Sequence, residues 1–406
     1  MVQAERPLEV KVLVQSNGAR VRRVLMTADT RGAVWTYALE LAGALGAYGV
    51  DVILASMGGP LRPAQRRAVT SLGSVRLCEG RFKAERMDES WDDVSAAGDW
   101  LLDLADRTHA DLVHLNGYAH GNLAWPVPCL IVAHSCVCSW WRAVKNEEAS
   151  PPWGYRVAVA AGLHGADGVV APSRALLAAL HRHYGLSRRG VVIPHGRDTR
   201  LFAPRAKQQY VFAAGRLWDD AKNVRALGAV APGLPWPVVI AGAVPHPCDA
   251  AQLGANIELL GQLTPEGLAA WLGAAAIYAL PACDEPCGLS VLEAALAGCA
   301  LVLGDVPGLR ELWDGAALFV RPGDHAELHA TLSALIADSV TQRRLAAQAR
   351  ARALRCTPRR MAAEYLTVYR TLLSHHPLLS HHSTGGAVRA GMADDVHASG
   401  ERLYAS

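Results

Sequence analysis

The sequence carries almost no excess charge of either sign. Lys and Arg number 40 against 37 Asp and Glu, a net charge of +3. So mild an excess gives no electrostatic footprint for nucleic acid. No run of about 18 uninterrupted apolar residues occurs, which excludes a membrane-spanning helix. The N-terminal stretch MVQAERPLEVKVLVQ has Glu5 and Glu9 beside its basic residues, and Lys11 breaks its apolar run. It lacks the shape of a signal peptide, so a cytoplasmic protein is expected. Nine cysteines are scattered along the chain. Cys136-x-Cys138 has the wrong spacing for a zinc ribbon and no second knuckle follows, so free, mostly buried thiols are expected. No Gly-x-Gly-x-x-Gly follows the first apolar run and no ribose-binding acid stands at the expected distance, which argues against a dinucleotide-dependent dehydrogenase.

What is present is an alternation of short apolar runs with longer amphipathic stretches. The chain has 406 residues, 51% of them hydrophobic, enough for two or three domains with substantial cores. After a loosely ordered leader (1–20), strands are expected at Val21–Ala28, Asp51–Ser56, Asp111–Leu115, Cys129–His134, Asp167–Ala171 and Val191–Pro194. Helices at Ala33–Tyr48, Trp100–Arg107 and Arg174–Tyr184 fall between them. The pattern stops at a polar linker, Gly196–Gln208, which carries Pro204. A second set of strands then begins at Tyr210–Ala214 and continues with Val238–Ala241, Ile257–Leu260, Ile277–Leu280, Ala300–Leu303 and Ala317–Val320. Such alternation implies parallel sheets with helices on both faces, hence an α/β class with two successive doubly wound units, 21–200 and 206–356. Helices at 325–337, 341–354 and 358–373 close the ordered part, the segment 357–373 crossing back toward the first unit. Residues 374–406, with His375-His376 and His381-His382, read as a solvated tail.

Two segments carry chemistry. In Glu285–Gly298, EPCGLSVLEAALAG, a strand ends, a loop follows and a helix starts near Gly288 and Leu289. Loops after strand ends line the ligand crevice of a parallel sheet, and a glycine at a helix mouth lets main-chain N–H groups approach an anion. Glu285 and Glu293 flank this mouth as acceptors for sugar and ribose hydroxyls; an exposed helix charge or a partner of the helix dipole is the competing reading for Glu293. In Ala214–Asn223, AGRLWDDAKN, Gly215 permits a tight turn while Arg216 and Lys222 supply fixed positive charge. Two cations beside a helix N-terminus suit a departing diphosphate; salt bridges to Asp219 or Asp220 are the alternative.

With seven residues between Glu285 and Glu293, an E-x7-E pattern about seventy residues after Gly-Arg…Lys-Asn, the chain resembles retaining glycosyltransferases of family 4, from Arg22 to Leu373. The resemblance implies a GT-B fold, two Rossmann-like domains facing across a cleft. It further implies that Arg216 and Lys222 hold the donor diphosphate, Glu285 the transferred sugar and Glu293 the nucleotide ribose. The backbone around Cys287, Gly288 and Leu289 would face sugar and phosphates, with Gly32 close to the phosphates and His134 near the reacting carbon. Three positions depart from the family's usual residues. Ala33 stands for a second glycine, Cys287 for an aromatic, and His195 for an asparagine. The resemblance also implies a front-face reaction in which the departing phosphate accepts the acceptor's proton. No Asp-x-Asp triplet occurs, so neither a cofactor nor a metal requirement is expected.

The acceptor side draws on His114, Asn116, Tyr118 and His120 after one strand, and on Trp140 after another. Exposed aromatics beside polar groups suit stacking on a sugar or aglycone, with core packing as the competing reading. A glycan, lipid-linked or small-molecule acceptor is expected, in glycan, polysaccharide or glycolipid synthesis. The clusters Arg20, Arg22, Arg23 and Arg62, Arg66, Arg67 read first as solvated helix faces, with peripheral contact with an anionic membrane as the competing reading. A sugar phosphorylase on the same fold and a non-catalytic sugar-nucleotide sensor are the other readings of these residues.

Overall fold

Runs such as Leu112–Leu115 and Cys129–Val132 are buried along their whole length, the pattern of strands covered on both faces. The computed structural model describes residues 20–376, apart from 86, 88–89, 147–152 and 244–253. The leader to residue 19 and the tail from residue 377, with His381 and His382, lie outside the described residues.

Seven parallel strands form the first sheet: β1 (Arg23–Asp29), β2 (Asp51–Met57), β3 (Val75–Glu79), β4 (Leu112–Leu115), β5 (Cys129–Val132), β6 (Gly168–Ala171) and β7 (Val191–Val192), in the order β3-β2-β1-β4-β5-β6-β7. Six more form the second: β8 (Gln208–Ala214), β9 (Val238–Ala241), β10 (Ile257–Gly261), β11 (Ala275–Leu280), β12 (Ala300–Gly304) and β13 (Leu318–Val320), in the order β10-β9-β8-β11-β12-β13. Every pairing is parallel. Strand order reverses between β1 and β4 in one sheet and between β8 and β11 in the other. Ligands of open α/β sheets bind at such switch points, outside the carboxyl ends of the strands.

The two domains are tied at several places. The helix Pro358–His375 follows the second domain yet packs Met361, Tyr365, Tyr369 and Leu373 into the first domain's core with Tyr37 and Leu41. Glu311 of the second domain accepts hydrogen bonds from the N–H groups of Arg174 and Ala175 (both 2.9 Å), at the start of a first-domain helix. That geometry is favourable for a carboxylate, since the first turn of a helix leaves its N–H groups without intrahelical partners. Among the described residues, no helix is long and apolar enough to cross a membrane.

Candidate active site

The loop after β11 and the loop after β8 meet through a buried ion pair. Lys222 Nζ donates to Glu285 Oε2 at 2.5 Å, with both side chains largely buried. Burial alone would raise the Glu285 carboxyl and lower the Lys222 ammonium. Each partner's charge outweighs that, so Glu285 sits below and Lys222 above its ordinary value. The other oxygen of Glu285 accepts from the main-chain N–H groups of Gly288 (2.9 Å) and Cys287 (3.3 Å). Gly288, at φ 61°, caps the helix Leu289–Leu296 in a left-handed conformation that glycine adopts without strain. Glu285 therefore lies at the helix mouth. Its neighbour Asp284, not singled out by the sequence, is pushed up to about 6 by burial and by the Glu285 charge.

Arg216 reaches toward the opposite domain. Gly32, at φ 76°, caps the helix Ala33–Gly46 and, having no side chain, makes no capping bond to that helix start. A Cβ on Gly32 would lie 3.5 Å from Arg216 Nη1. The first domain's helix mouth and the second domain's guanidinium thus face each other across the cleft. Arg216 also pairs with Asp219 at 2.5 Å, so the salt bridge set against its donor role is present. Its side chain remains about half exposed (47%). Gly215 lies against the stem of Lys222, where an added Cβ would be 3.5 Å from Cγ. Trp140 of the first domain donates from Nε1 to Asp219 Oδ1 at 3.2 Å, so it bridges the domains beside Arg216.

Glu293 is not an exposed helix charge. Its carboxylate is buried and accepts from Arg197 Nε at 2.7 Å; Arg197 also bonds Glu40 through Nη1. Burial leaves the Glu293 carboxyl above its ordinary value in spite of Arg197. Arg197 lies in the segment read as a polar linker, where nothing in the local pattern marks it as buried.

His134 stands at the end of β5. Its Nε2 bonds Asn116 Oδ1 at 2.8 Å, and Asn116 Nδ2 donates to Thr27 O at 2.6 Å. The second bond fixes the amide's orientation, so the carbonyl oxygen faces His134 and Nε2 carries the proton. Cys287 Sγ lies 3.1 Å from the main-chain oxygen of His134, joining the two domains at the floor of the cleft.

On the acceptor side the structure separates the residues grouped by sequence. His114 and Tyr118 are core residues and correct that grouping. His114 is fully buried, bonded through Nδ1 to the Tyr369 hydroxyl at 2.7 Å, and burial pushes it down to about 3. The Tyr118 hydroxyl donates to Ser135 O at 2.5 Å from a buried ring. His114 projects inward because β4 is buried along its whole length, and Tyr118 packs into the first domain's core. Asn116 and His120 instead line a pocket at the strand ends with Thr27, Asp29, Lys83 and Glu85. Replacing His114 with Leu would leave the Tyr369 hydroxyl without this partner. We expect a loss of about 1–3 kcal/mol in chemical denaturation.

Residues 34–201 match the family model described as Glycosyltransferase Family 4, and residues 208–338 match Glycosyl transferases group 1. The chain belongs to the GT-B glycosyltransferases. Each matched segment falls on one of the two domains. Among solved structures, the enzyme is similar to sucrose-phosphate synthase from Thermosynechococcus elongatus, with TM-score 0.74, 21% identity, and coverage of 87% of this chain and 100% of that one. It is similar to Anabaena HepE in complex with UDP and glucose, with TM-score 0.70, 17% identity, and coverage of 86% and 100%. It is also similar to a glycosyltransferase from Rickettsia africae, with TM-score 0.70, 14% identity, and coverage of 88% and 100%. No curated relative matches the glycosyltransferase.

Proposed function

We propose that this glycosyltransferase moves a hexose-type sugar, with retention at the anomeric carbon, from a nucleoside diphosphate sugar to an acceptor hydroxyl, without a metal ion. The observation that carries the reading is the convergence of Arg216, Lys222 and Glu285 on the cleft opposite Gly32. The bond from the sugar carbon to the diphosphate oxygen breaks, and the acceptor oxygen bonds the same face of that carbon. The acceptor's proton passes to the departing phosphate, whose growing charge Arg216, Lys222 and the helix mouth stabilise. A substrate phosphate would draw Lys222 away from Glu285 and leave that carboxylate for the sugar's hydroxyls. Bound UDP and UDP-glucose in HepE, a protein of like fold, support a nucleotide sugar as donor. The polar pocket at Asn116 and His120 is the place for a glycan, lipid-linked or small-molecule acceptor, in glycan, polysaccharide or glycolipid synthesis on the cytoplasmic side of a membrane.

Thermal-shift measurements against UDP-, GDP- and ADP-sugars identify the donor. Transfer is then expected to persist in excess EDTA. Glu285→Ala is expected to reduce turnover by about a hundredfold or more, with affinity for the bare nucleotide nearly unchanged. Equal losses in both quantities would refute the assignment of Glu285 to the sugar.

A further inference from the structure

Three ligand-type side chains far apart in sequence, His134, His195 and Cys287, come together in space. His195 lies beside His134, with ring centroids 5.4 Å apart, and the Tyr37 ring packs 4.7 Å from each. One ring nitrogen of each histidine and the Sγ of Cys287 lie within 4.8 Å of one another. Both nitrogens of His195 are buried without a hydrogen-bond partner. A histidine that served only packing would be expected to satisfy at least one of them, since such groups are costly to leave unpaired.

Two imidazoles and a thiolate are borderline-to-soft ligands, suited to zinc-class ions and poorly suited to Mg2+. Tetrahedral bonds of about 2.0–2.3 Å place ligand atoms roughly 3.3–3.6 Å apart, so the cluster needs at most about 1.5 Å of closure. Cys287 and His134 are only partly buried, which gives an ion a path from the cleft. The proton that Asn116 fixes on His134 Nε2 leaves the lone pair on Nδ1, and ligating histidines are commonly oriented by such a bond. The Glu285 charge acts on both His195 and Cys287 and favours a cation, while Lys222 opposes it at Cys287.

We propose that His134, His195 and Cys287 form a binding site for a zinc-class transition-metal ion, and that an ion there blocks the transferred sugar's place and inhibits the enzyme. Binding replaces the thiol's contact with the His134 carbonyl oxygen and releases the Cys287 proton to solvent. The fourth coordination position opens toward the cleft. The binding claim stands on these three ligands alone; the inhibition claim rests on the donor-site reading.

Co2+ titration of the full-length chain under reducing conditions tests the first claim without any donor. One equivalent should give tetrahedral d–d bands and a thiolate-to-cobalt charge-transfer band, which the histidines of the tail cannot supply. Cys287→Ser should abolish the charge-transfer band, and His195→Asn should weaken binding about a hundredfold, with circular dichroism unchanged in both. Zn2+ should displace Co2+ and inhibit transfer at one equivalent, with EDTA restoring the rate. No charge-transfer band, or equal Co2+ affinity in wild type and His195→Asn, would overturn the site. Stoichiometric binding without inhibition would overturn the second claim while leaving the site in place.

Discussion

Lys222→Ala is expected to lower kcat by about a hundred- to a thousandfold and to destabilise the enzyme by about 3–5 kcal/mol. The first effect follows from losing the fixed cation that the proposed mechanism sets against the departing diphosphate. The second follows from the Glu285 charge, which would remain buried at the helix mouth without the ammonium that now holds it at 2.5 Å. A low rate in this single variant could therefore arise from either cause. Adding Glu285→Ala separates them. The double variant carries no stranded charge, so its midpoint in chemical denaturation should recover most of the loss. Its transfer rate should stay as low as that of the worse single variant, because two groups acting on one transition state are not additive in their loss. Recovery of rate together with stability would mean that the pair only supports the loop, and the proposed chemistry would fail with it.

Much of this was legible because it depends on local pattern. Buried parallel strands read as continuous apolar runs, so β1, β2, β4, β5 and β6 stand out in sequence. So do β8 to β13, each within a few residues of its observed span. The strand β3 is not marked by the sequence pattern because it lies at the sheet edge and mixes half-buried with exposed residues (Val75–Glu79), which weakens the apolar signal. The helix Trp91–Thr108 shows its apolar periodicity in sequence only from Trp100, since its first turn carries Asp92 and Asp93. The site divides in the same way. Glu285, Lys222 and Arg216 could be found because their spacing places them in loops after strands. Arg197 could not, because its partners Glu40 and Glu293 lie about 157 and 96 residues away in sequence. Nor could the inward direction of His114 and Tyr118, or the meeting of His195 with Cys287. Those facts belong to contacts between residues far apart in sequence, which local pattern does not carry.

Arg197→Met is expected to lower the thermal midpoint by about 10 °C. Arg197 is the shared cation of Glu40, on a first-domain helix, and Glu293, on the second-domain helix capped by Gly288. All three side chains are mostly buried, at 9%, 16% and 7% exposure. Removing the guanidinium leaves two carboxylates facing each other in a poorly solvated seam, a loss of about 3–5 kcal/mol. At roughly 2–4 °C per kcal/mol for domains of this size, the shift should be plain in a melting curve. Methionine keeps much of the side-chain volume, so the effect reads charge more than cavity. If charge is the cause, Glu40→Gln added to Arg197→Met should restore part of the midpoint, since only one carboxylate then remains. The same pair of variants reports on function. Glu293 without Arg197 is free to turn toward the cleft, so if it meets the nucleotide's ribose, donor KM should change in Arg197→Met/Glu40→Gln more than kcat does. If the midpoint is unmoved in Arg197→Met, the triad contributes nothing to joining the domains. A donor KM equal to wild type in the double variant would instead detach Glu293 from the donor.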